Sequence, residues 1–228
     1  MVDDSLIKFK ALVPEGYSVL GKLPPAVVAL SFGGAEQESS GTTNANLPVG
    51  PTDSSKVVCI TLGWRGEGTL SSVTLNGSPM TVLQAISTLA TPSVGAGIAY
   101  LAHTSSNNAS LVVSFSSVNS FNYQAFYAVS APSVTDFLGT FGTVITISAN
   151  LDLVKQGASL GVFAGETSSN PASWLALTEV SDTDVLAGTP FRYSSASLSG
   201  ITANSSAVVA VTTASTDVKA MVAISLSS

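Results

Sequence analysis

The feature that most constrains this chain is a succession of short strand-like segments, with almost no helical periodicity along its length. These segments are rich in Val, Ile, Thr, Tyr and Phe, and clusters of Gly, Pro, Asn and Ser separate them. Such runs are typical of the strands of sandwiches and barrels. We therefore predict an all-β fold, an antiparallel β-sandwich of jelly-roll type with an extended N-terminal segment. The predicted strands cover residues 6–12, 26–32, 56–62, 70–75, 80–85, 97–102, 109–115, 123–129, 143–148, 159–164, 174–180, 191–198, 206–212 and 218–226.

Residues 70–85 predict one β-hairpin. Asn76 and Gly77 lie between two apolar runs of this segment. The Asn-Gly pair favours a type I′ turn, because both central residues of that turn need a positive φ.

The segment 121–127 predicts a strand that is covered on both sides. Because side chains alternate along a strand, Phe121, Tyr123 and Ala125 share one face. Asn122 and Phe126 share the other face, so both faces carry an aromatic ring.

The first fifty residues differ from the rest of the chain. Prolines and glycines split two apolar segments there, and residues 33–44 are rich in Gly, Ser and Thr, which is typical of a flexible linker or long loop. We predict an N-terminal arm or hairpin plus this linker over residues 1–52, and a β-sandwich domain over 53–228. The first part is either an arm that packs on a neighbouring subunit or a first hairpin of the same sandwich.

Charge is scarce in this sequence. Charged residues make up 10% of the chain, against roughly 25% in an average soluble domain, and Ser and Thr together make up about a quarter of it. Mixed surface charge keeps free monomers apart. A weakly charged, hydroxyl-rich chain therefore suits a protein that packs into an assembly or works outside the cell.

Neither nucleic acid nor a membrane is an expected partner. Eight Lys and Arg face fourteen Asp and Glu, and no basic cluster of the kind that binds phosphates is present. No apolar run approaches the roughly 20 residues that span a bilayer. The first residues lack the pattern of a secretory signal, so we expect synthesis and assembly in a cytoplasm, or the earlier removal of a signal.

We expect no enzymatic activity. Residues 157–161 match the nucleophile-elbow pattern Gly-x-Ser-x-Gly around Ser159, but a strand-like run follows where that motif needs a helix. The one histidine of the chain, His103, precedes this serine, whereas the elbow fold places its histidine after it. We expect His103 at a loop edge, facing solvent.

We also expect no metal and no cofactor. Asp182 and Asp184 form an Asp-x-Asp pair after a strand, but calcium needs six to eight oxygen ligands, and a turn role is commoner for aspartate. Cys59 lies in an apolar run and is predicted to be a small buried side chain.

Aromatic side chains offer a candidate binding surface. Trp64, Trp174 and Tyr193 are weak candidates for contact with a glycan or a partner, because exposed rings stack on the apolar faces of sugars. Most aromatic residues of a sandwich lie in its core, so core positions are the main alternative.

One block of the sequence has a resemblance. Residues 58–69 read VCITLGWRGEGT, residues 73–81 read VTLNGSPMT, residues 98–101 read IAYL, and residues 109–115 read ASLVVSF. This order of segments resembles β-sandwich domains of bacteriophage virion accessory proteins, such as capsid decoration, fibre and tail proteins. Domains of this kind also occur in bacterial surface proteins. The resemblance covers about residues 56–130, implies a sandwich fold, and carries no functional residues.

The function that we expect is structural. The chain would be a component on the exterior of a phage particle, as a capsid decoration, fibre, spike or tail accessory protein acting through subunit contacts. Its partners would be other virion proteins and itself, as a homo-oligomer with a trimer favoured, in a virion assembled in the host cytoplasm. The alternative is an extracellular carbohydrate-binding module or surface adhesin domain that recognises a host surface glycan.

Overall fold

A computed structural model of the chain describes residues 30–51, 56–89, 91–103, 107–129, 133–167, 171–186 and 188–227, with only the backbone given for 30–45, 118 and 119. The predicted strand 6–12 and the start of 26–32 lie outside these residues. Within the described ranges every regular element is a strand, which confirms the all-β prediction. The strands are β1 (Leu30–Pro48), β2 (Lys56–Gly66), β3 (Leu70–Leu75), β4 (Ser78–Pro79), β5 (Thr81–Ser87), β6 (Ser93–His103), β7 (Asn108–Val129), β8 (Ser133–Gly142), β9 (Thr146–Leu153), β10 (Ala158–Gly165), β11 (Ser173–Leu175), β12 (Thr178–Val185), β13 (Phe191–Ser199), β14 (Ser205–Thr212) and β15 (Lys219–Ser227).

The strands form three antiparallel sheets. Sheet A has the order β4-β3-β7-β2-β6-β5 with β1 also paired to β7, sheet B has the order β12-β13-β10-β15-β8, and sheet C has the order β11-β14-β9. Cys59 of sheet A and Val222 of sheet B share one core. Met221 of sheet B and Leu151 of sheet C share another. Sheet B is therefore the middle layer of a sandwich-like stack.

Strand β7 organises sheet A, because it is 22 residues long and pairs with other strands along both edges. β1 follows one edge over almost its whole length. On the other edge β2 pairs with the C-terminal half of β7, and β3 pairs with the N-terminal half. Trp64, Val113 and Phe121 of these strands lie in a third core, whose described members come from sheet A and its adjoining turns. Sheet A therefore bends over itself around its own core.

The expectation of a strand covered on both sides is confirmed at residues 121–127. Phe121, Tyr123 and Ala125 lie in the core inside sheet A. Phe126 lies in the core between sheets A and B, and Asn122 is buried as well. The alternation of side chains thus joins two cores through one strand.

The turn of the predicted hairpin is confirmed, but the hairpin is shorter than predicted. Asn76 and Gly77 have φ values of 49° and 78°, as a type I′ turn requires. Only β4 returns along β3, and β5 then leaves to pair with β6. The second half of the segment therefore joins another strand of the same sheet.

An edge strand takes the place of the linker or long loop predicted over residues 33–44. Its backbone pairs with β7 from residue 34 to residue 44, with one irregularity between Ser40 and Thr42. Strand pairing uses N–H and C=O groups, which every residue here supplies, so it needs none of the large apolar side chains that mark a strand in sequence. The predicted boundary at residue 52 lies in the undescribed residues 52–55 and stays a prediction.

Candidate functional site

Trp64 lies in the core inside sheet A and has no exposed surface. Its ring covers Gly95, where an added Cβ would come within 2.2 Å of Trp64 Cε2. The ring centroids of Trp64 and Phe115 are 5.7 Å apart. Trp64 thus fills a space that a glycine opens on the neighbouring strand, and it offers no ring face to a glycan or partner.

Tyr193 is also fully buried, between sheets A and B. Its hydroxyl lies 2.7 Å from Thr61 Oγ1 in a hydrogen bond, and an added Cβ at Gly63 would come within 2.7 Å of its ring. Burial raises the pKa of this phenol, and the hydrogen bond to Thr61 opposes that shift only in part. Tyr193 therefore links two sheets and is not a surface contact.

Trp174 alone of the three aromatic candidates is partly exposed. It lies in β11 of sheet C, and its ring extends over Gly161 of sheet B, where an added Cβ would meet the ring at 2.7 Å. Its indole Nε1 donates a hydrogen bond of 2.8 Å to Ser194 Oγ. The three aromatic residues therefore lie in three different layers and form no common platform.

The elbow-like serine cannot act as a nucleophile in this fold. Ser159 is fully buried in β10, which β13 and β15 flank on both sides. His103 lies on sheet A at the end of β6, where it is opposite Lys56. The expectation of a solvent-facing His103 is wrong, because it is 8% exposed. Burial and the neighbouring Lys56 lower its pKa.

The Asp-x-Asp pair is held by an arginine. Arg192 Nε donates a hydrogen bond of 2.6 Å to Asp182 Oδ1, and its two terminal nitrogens bind Asp182 and Asp184. Asp182 also accepts a hydrogen bond of 3.0 Å from the Ala172 N–H. These carboxylates raise the pKa of Arg192. The pair therefore fastens β12 to β13, and the ligands that calcium would need are already engaged.

The described part of the chain offers little else that could bind a metal, react or hold a ligand. No three His, Cys, Asp or Glu side chains there are placed to hold a metal ion. Cys59 is buried as predicted, and burial raises its pKa to about 12, which keeps it in the unreactive thiol form. A groove of about 400 Å³ at the ends of β9 and β14 has six lining residues, none of them aromatic: Asp152, Leu153, Val154, Asn204, Ser205 and Ser206.

A group of exposed apolar side chains lies at the edge of sheet B that β8 forms. Phe137 and Phe141 of β8, with Val144 and Ile145 of the following turn, are each between 46% and 55% exposed. Phe137 is opposite Ile224 and Phe141 is opposite Ala220, and both partners lie in the core between sheets A and B. Cross-strand partners share a face of the sheet. The core between sheets A and B therefore continues into an exposed apolar surface.

The backbone of β8 is also open on this side. Among the described strands, β8 pairs only with β15, and β5 of sheet A pairs only with β6. These two edge strands lie one above the other, since an added Cβ at Gly139 of β8 would be 3.4 Å from Ala85 Cβ of β5. We call β5, β8 and the turn 143–145 the open side. It is the site best suited to contact another protein.

The open side was not predicted, yet the sequence carries a signal for it. No charged residue occurs from Phe137 to Leu151, and this run holds both exposed phenylalanines. A strand prediction alone does not show which apolar strand lies at an edge, because that depends on the order of strands in the sheet.

No family model, curated protein or solved structure matches the chain. No helix in the described residues is long and apolar enough to cross a membrane.

Proposed function

We propose that the chain is a structural protein on the exterior of a bacteriophage particle, as a capsid decoration, fibre, spike or tail accessory protein. It acts through contacts with its own copies and with other virion proteins. The observation that carries this proposal is the open side, where exposed apolar side chains occur beside a strand edge that pairs with no further described strand. Such edges attract other strands, and natural proteins cover or blunt them. A subunit of an assembly covers them with its neighbours.

The outer face of sheet C supports an exterior position. Thr146, Ser148 and Asn150 of β9 and Ser206 and Thr212 of β14 are exposed there. Hydroxyl and amide groups, with the carboxylate of the exposed Asp152, keep this face hydrated, although Val208 and Leu175 are also exposed on it. The molecule thus has a mainly polar face that suits solvent and an apolar edge that suits a neighbour.

A catalytic role has no support in this geometry. Ser159 is closed off inside β10, and His103 lies on another sheet. We therefore propose a function that depends on surfaces.

The glycan-binding alternative has less support than the structural role. Trp64 and Tyr193 have no exposed surface, and Trp174 is packed over Gly161 with its indole N–H bound to Ser194. A sugar platform would need at least one ring with a free face.

Immunogold labelling tests the proposed location. Intact particles would be purified from the phage or prophage that carries the gene and labelled with antibodies raised against the full chain. We expect gold on the particle exterior, and we expect the chain among the proteins of the washed particles. Particles that lack the chain after purification would contradict the proposal. Particles of a deletion strain that lacks the gene are the matched control.

A further inference from the structure

We propose that the open side binds a second copy of this chain, with β8 of one copy paired antiparallel to β8 of the other about a twofold axis. This inference rests on the proposed assembly role and names the partner of that surface. Sheet B of the two copies would become one continuous sheet, with five strands from each copy. The exposed side chains of Phe137 and Phe141 would be covered at the junction.

From Asp136 onward, β8 lacks the features that usually prevent strands from pairing at an edge, and its one irregularity lies before that, between Val134 and Asp136. Natural edges carry Lys, Pro, inward-pointing charges or bulges. β5 contains no charged residue, and Asp136 is the single charged residue of β8. Asp136 Oδ1 accepts a hydrogen bond of 2.8 Å from the Phe137 N–H, and Oδ2 accepts one of 2.7 Å from the Asp152 N–H. This carboxylate is occupied by backbone donors of its own chain.

The other edge of sheet B, β12, is protected from strand pairing by charged side chains. β12 carries Glu179, Asp182 and Asp184. Burial and the nearby Asp182 raise the pKa of Glu179, so negative charges already crowd one another there. A second copy of β12 would add like charges directly opposite these, which is destabilising. The same chain therefore blocks self-association at β12 and permits it at β8.

A second copy fits the open side better than a partner of another kind. An antiparallel pair of identical strands is self-complementary, because each strand supplies the same donors and acceptors to the other. The surface carries one carboxylate, that of Asp136, which backbone donors already bind, so a charged partner would gain little electrostatic attraction from it. The stacked edges β5 and β8 face the same side, so a twofold neighbour would continue the apolar core between sheets A and B.

The mass of the full chain in solution tests this inference. Light scattering across a wide range of concentrations should show the mass of two chains, falling to that of one chain on dilution. Phe141→Lys should raise the dissociation constant at least about tenfold, because a lysine at the junction must lose its hydration. Val208→Lys is the matched control. Val208 is 50% exposed on the outer face of sheet C, against 52% for Phe141, and this variant should keep the dimer.

Hydrogen exchange on the unmodified chain gives a second test that does not depend on how a variant folds. At high concentration the backbone amides of β8 should exchange more slowly than at low concentration, while those of β12 should not change. A monomer at every concentration would overturn the inference. A mass of three chains with unprotected β8 amides would also overturn it. Equal increases of the dissociation constant in Phe141→Lys and Val208→Lys would overturn it as well.

These outcomes are separate from the test of location. A dimer in solution together with unlabelled particles would keep the β8 interface and reject the virion role. Labelled particles together with a monomeric chain would keep the virion role and reject the β8 interface.

Discussion

Strands β8 and β12 form the two edges of one sheet, and they differ in charge and in exposed aromatic side chains. β12 carries acidic side chains that Arg192 holds in a bidentate contact. Its exposed Val180 therefore lies among charges. β8 has two half-exposed phenylalanines, and its one carboxylate is bound to backbone donors. Exposed apolar residues alone do not make an interface. What separates β8 from β12 is their combination with a strand edge whose one carboxylate is bound to backbone donors.

The largest effect that we expect is a difference in the free energy of unfolding between substitutions on the two faces of β8. Leu138 is buried in the core between sheets B and C, so Leu138→Ala should lower the free energy of unfolding by about 3 kcal/mol. Phe137→Ala, on the exposed face, should cost about 1 kcal/mol or less in the monomer. Urea unfolding at low protein concentration measures both variants. Equal losses would mean that Phe137 is packed within its own chain.

A smaller loss of stability is expected at the β12 edge. Arg192→Ala leaves the carboxylates of Asp182 and Asp184 without their cation, and Asp182 is largely buried. We expect a loss of about 2 kcal/mol, below the usual cost of breaking a fully buried pair because Asp184 is partly exposed. Arg192→Lys keeps the charge without the bidentate contact and should recover part of the loss. Thermal unfolding of the three proteins checks this. If Arg192→Ala were as stable as the unmodified chain, the contacts of Arg192 with Asp182 and Asp184 would not stabilise the fold.

The pH dependence of stability should reflect a carboxylate near the start of β15, the strand that pairs with β8. Asp217 accepts hydrogen bonds from Lys219 Nζ at 2.6 Å and from the Thr167 N–H at 2.8 Å, and its pKa falls from 3.8 to about 2 because these bonds outweigh its burial. A lowered pKa in the folded state stabilises the fold above pH 3.8, and this contribution is lost as the pH falls towards 2.

Acid unfolding of Asp217→Asn is the measurement for this carboxylate. The variant should be less stable at neutral pH, because Lys219 is fully buried and loses its counter-charge. Its stability should also change less between pH 3.8 and about 2 than that of the unmodified chain. An identical pH profile for both proteins would assign the acid sensitivity to other groups.

The smallest effect is expected where β11 contacts β13, the neighbour of β12. Ser194→Ala removes the hydroxyl that accepts from Trp174 Nε1 at 2.8 Å and donates to the Ser181 carbonyl at 2.9 Å. We expect a loss of about 1 kcal/mol, the usual net value of a hydrogen bond. Ser197→Ala, at a half-buried position of the same strand, is a control in the same residue type. If both variants lose the same stability, the Trp174 contact contributes little.

The sequence predicted the local features of the fold well. The alternation at 121–127 and the Asn76-Gly77 turn follow from backbone geometry over a few residues, and both are confirmed. The burial of Cys59 also follows from its apolar run. The strand over residues 33–44 was missed, because a strand that pairs through its backbone needs no apolar pattern.

The candidate site was harder to predict for a physical reason. Trp64 and Tyr193 were candidates because large rings can bind ligands, yet glycines on neighbouring strands make room for them in the core. The exposure of Phe137 and Phe141 depends on where β8 lies in the sheet order, which no local pattern encodes.

The sequence by itself determined that this chain is built from strands, where its clearest turn lies, and that its surface has little charge. These properties depend on side-chain type, backbone preference and composition, which are local or additive. Only the tertiary structure decided which strand became a protected edge and which an open one. Strand order is set by pairings between distant residues, such as that of Phe137 with Ile224, and these form only when the whole sheet does.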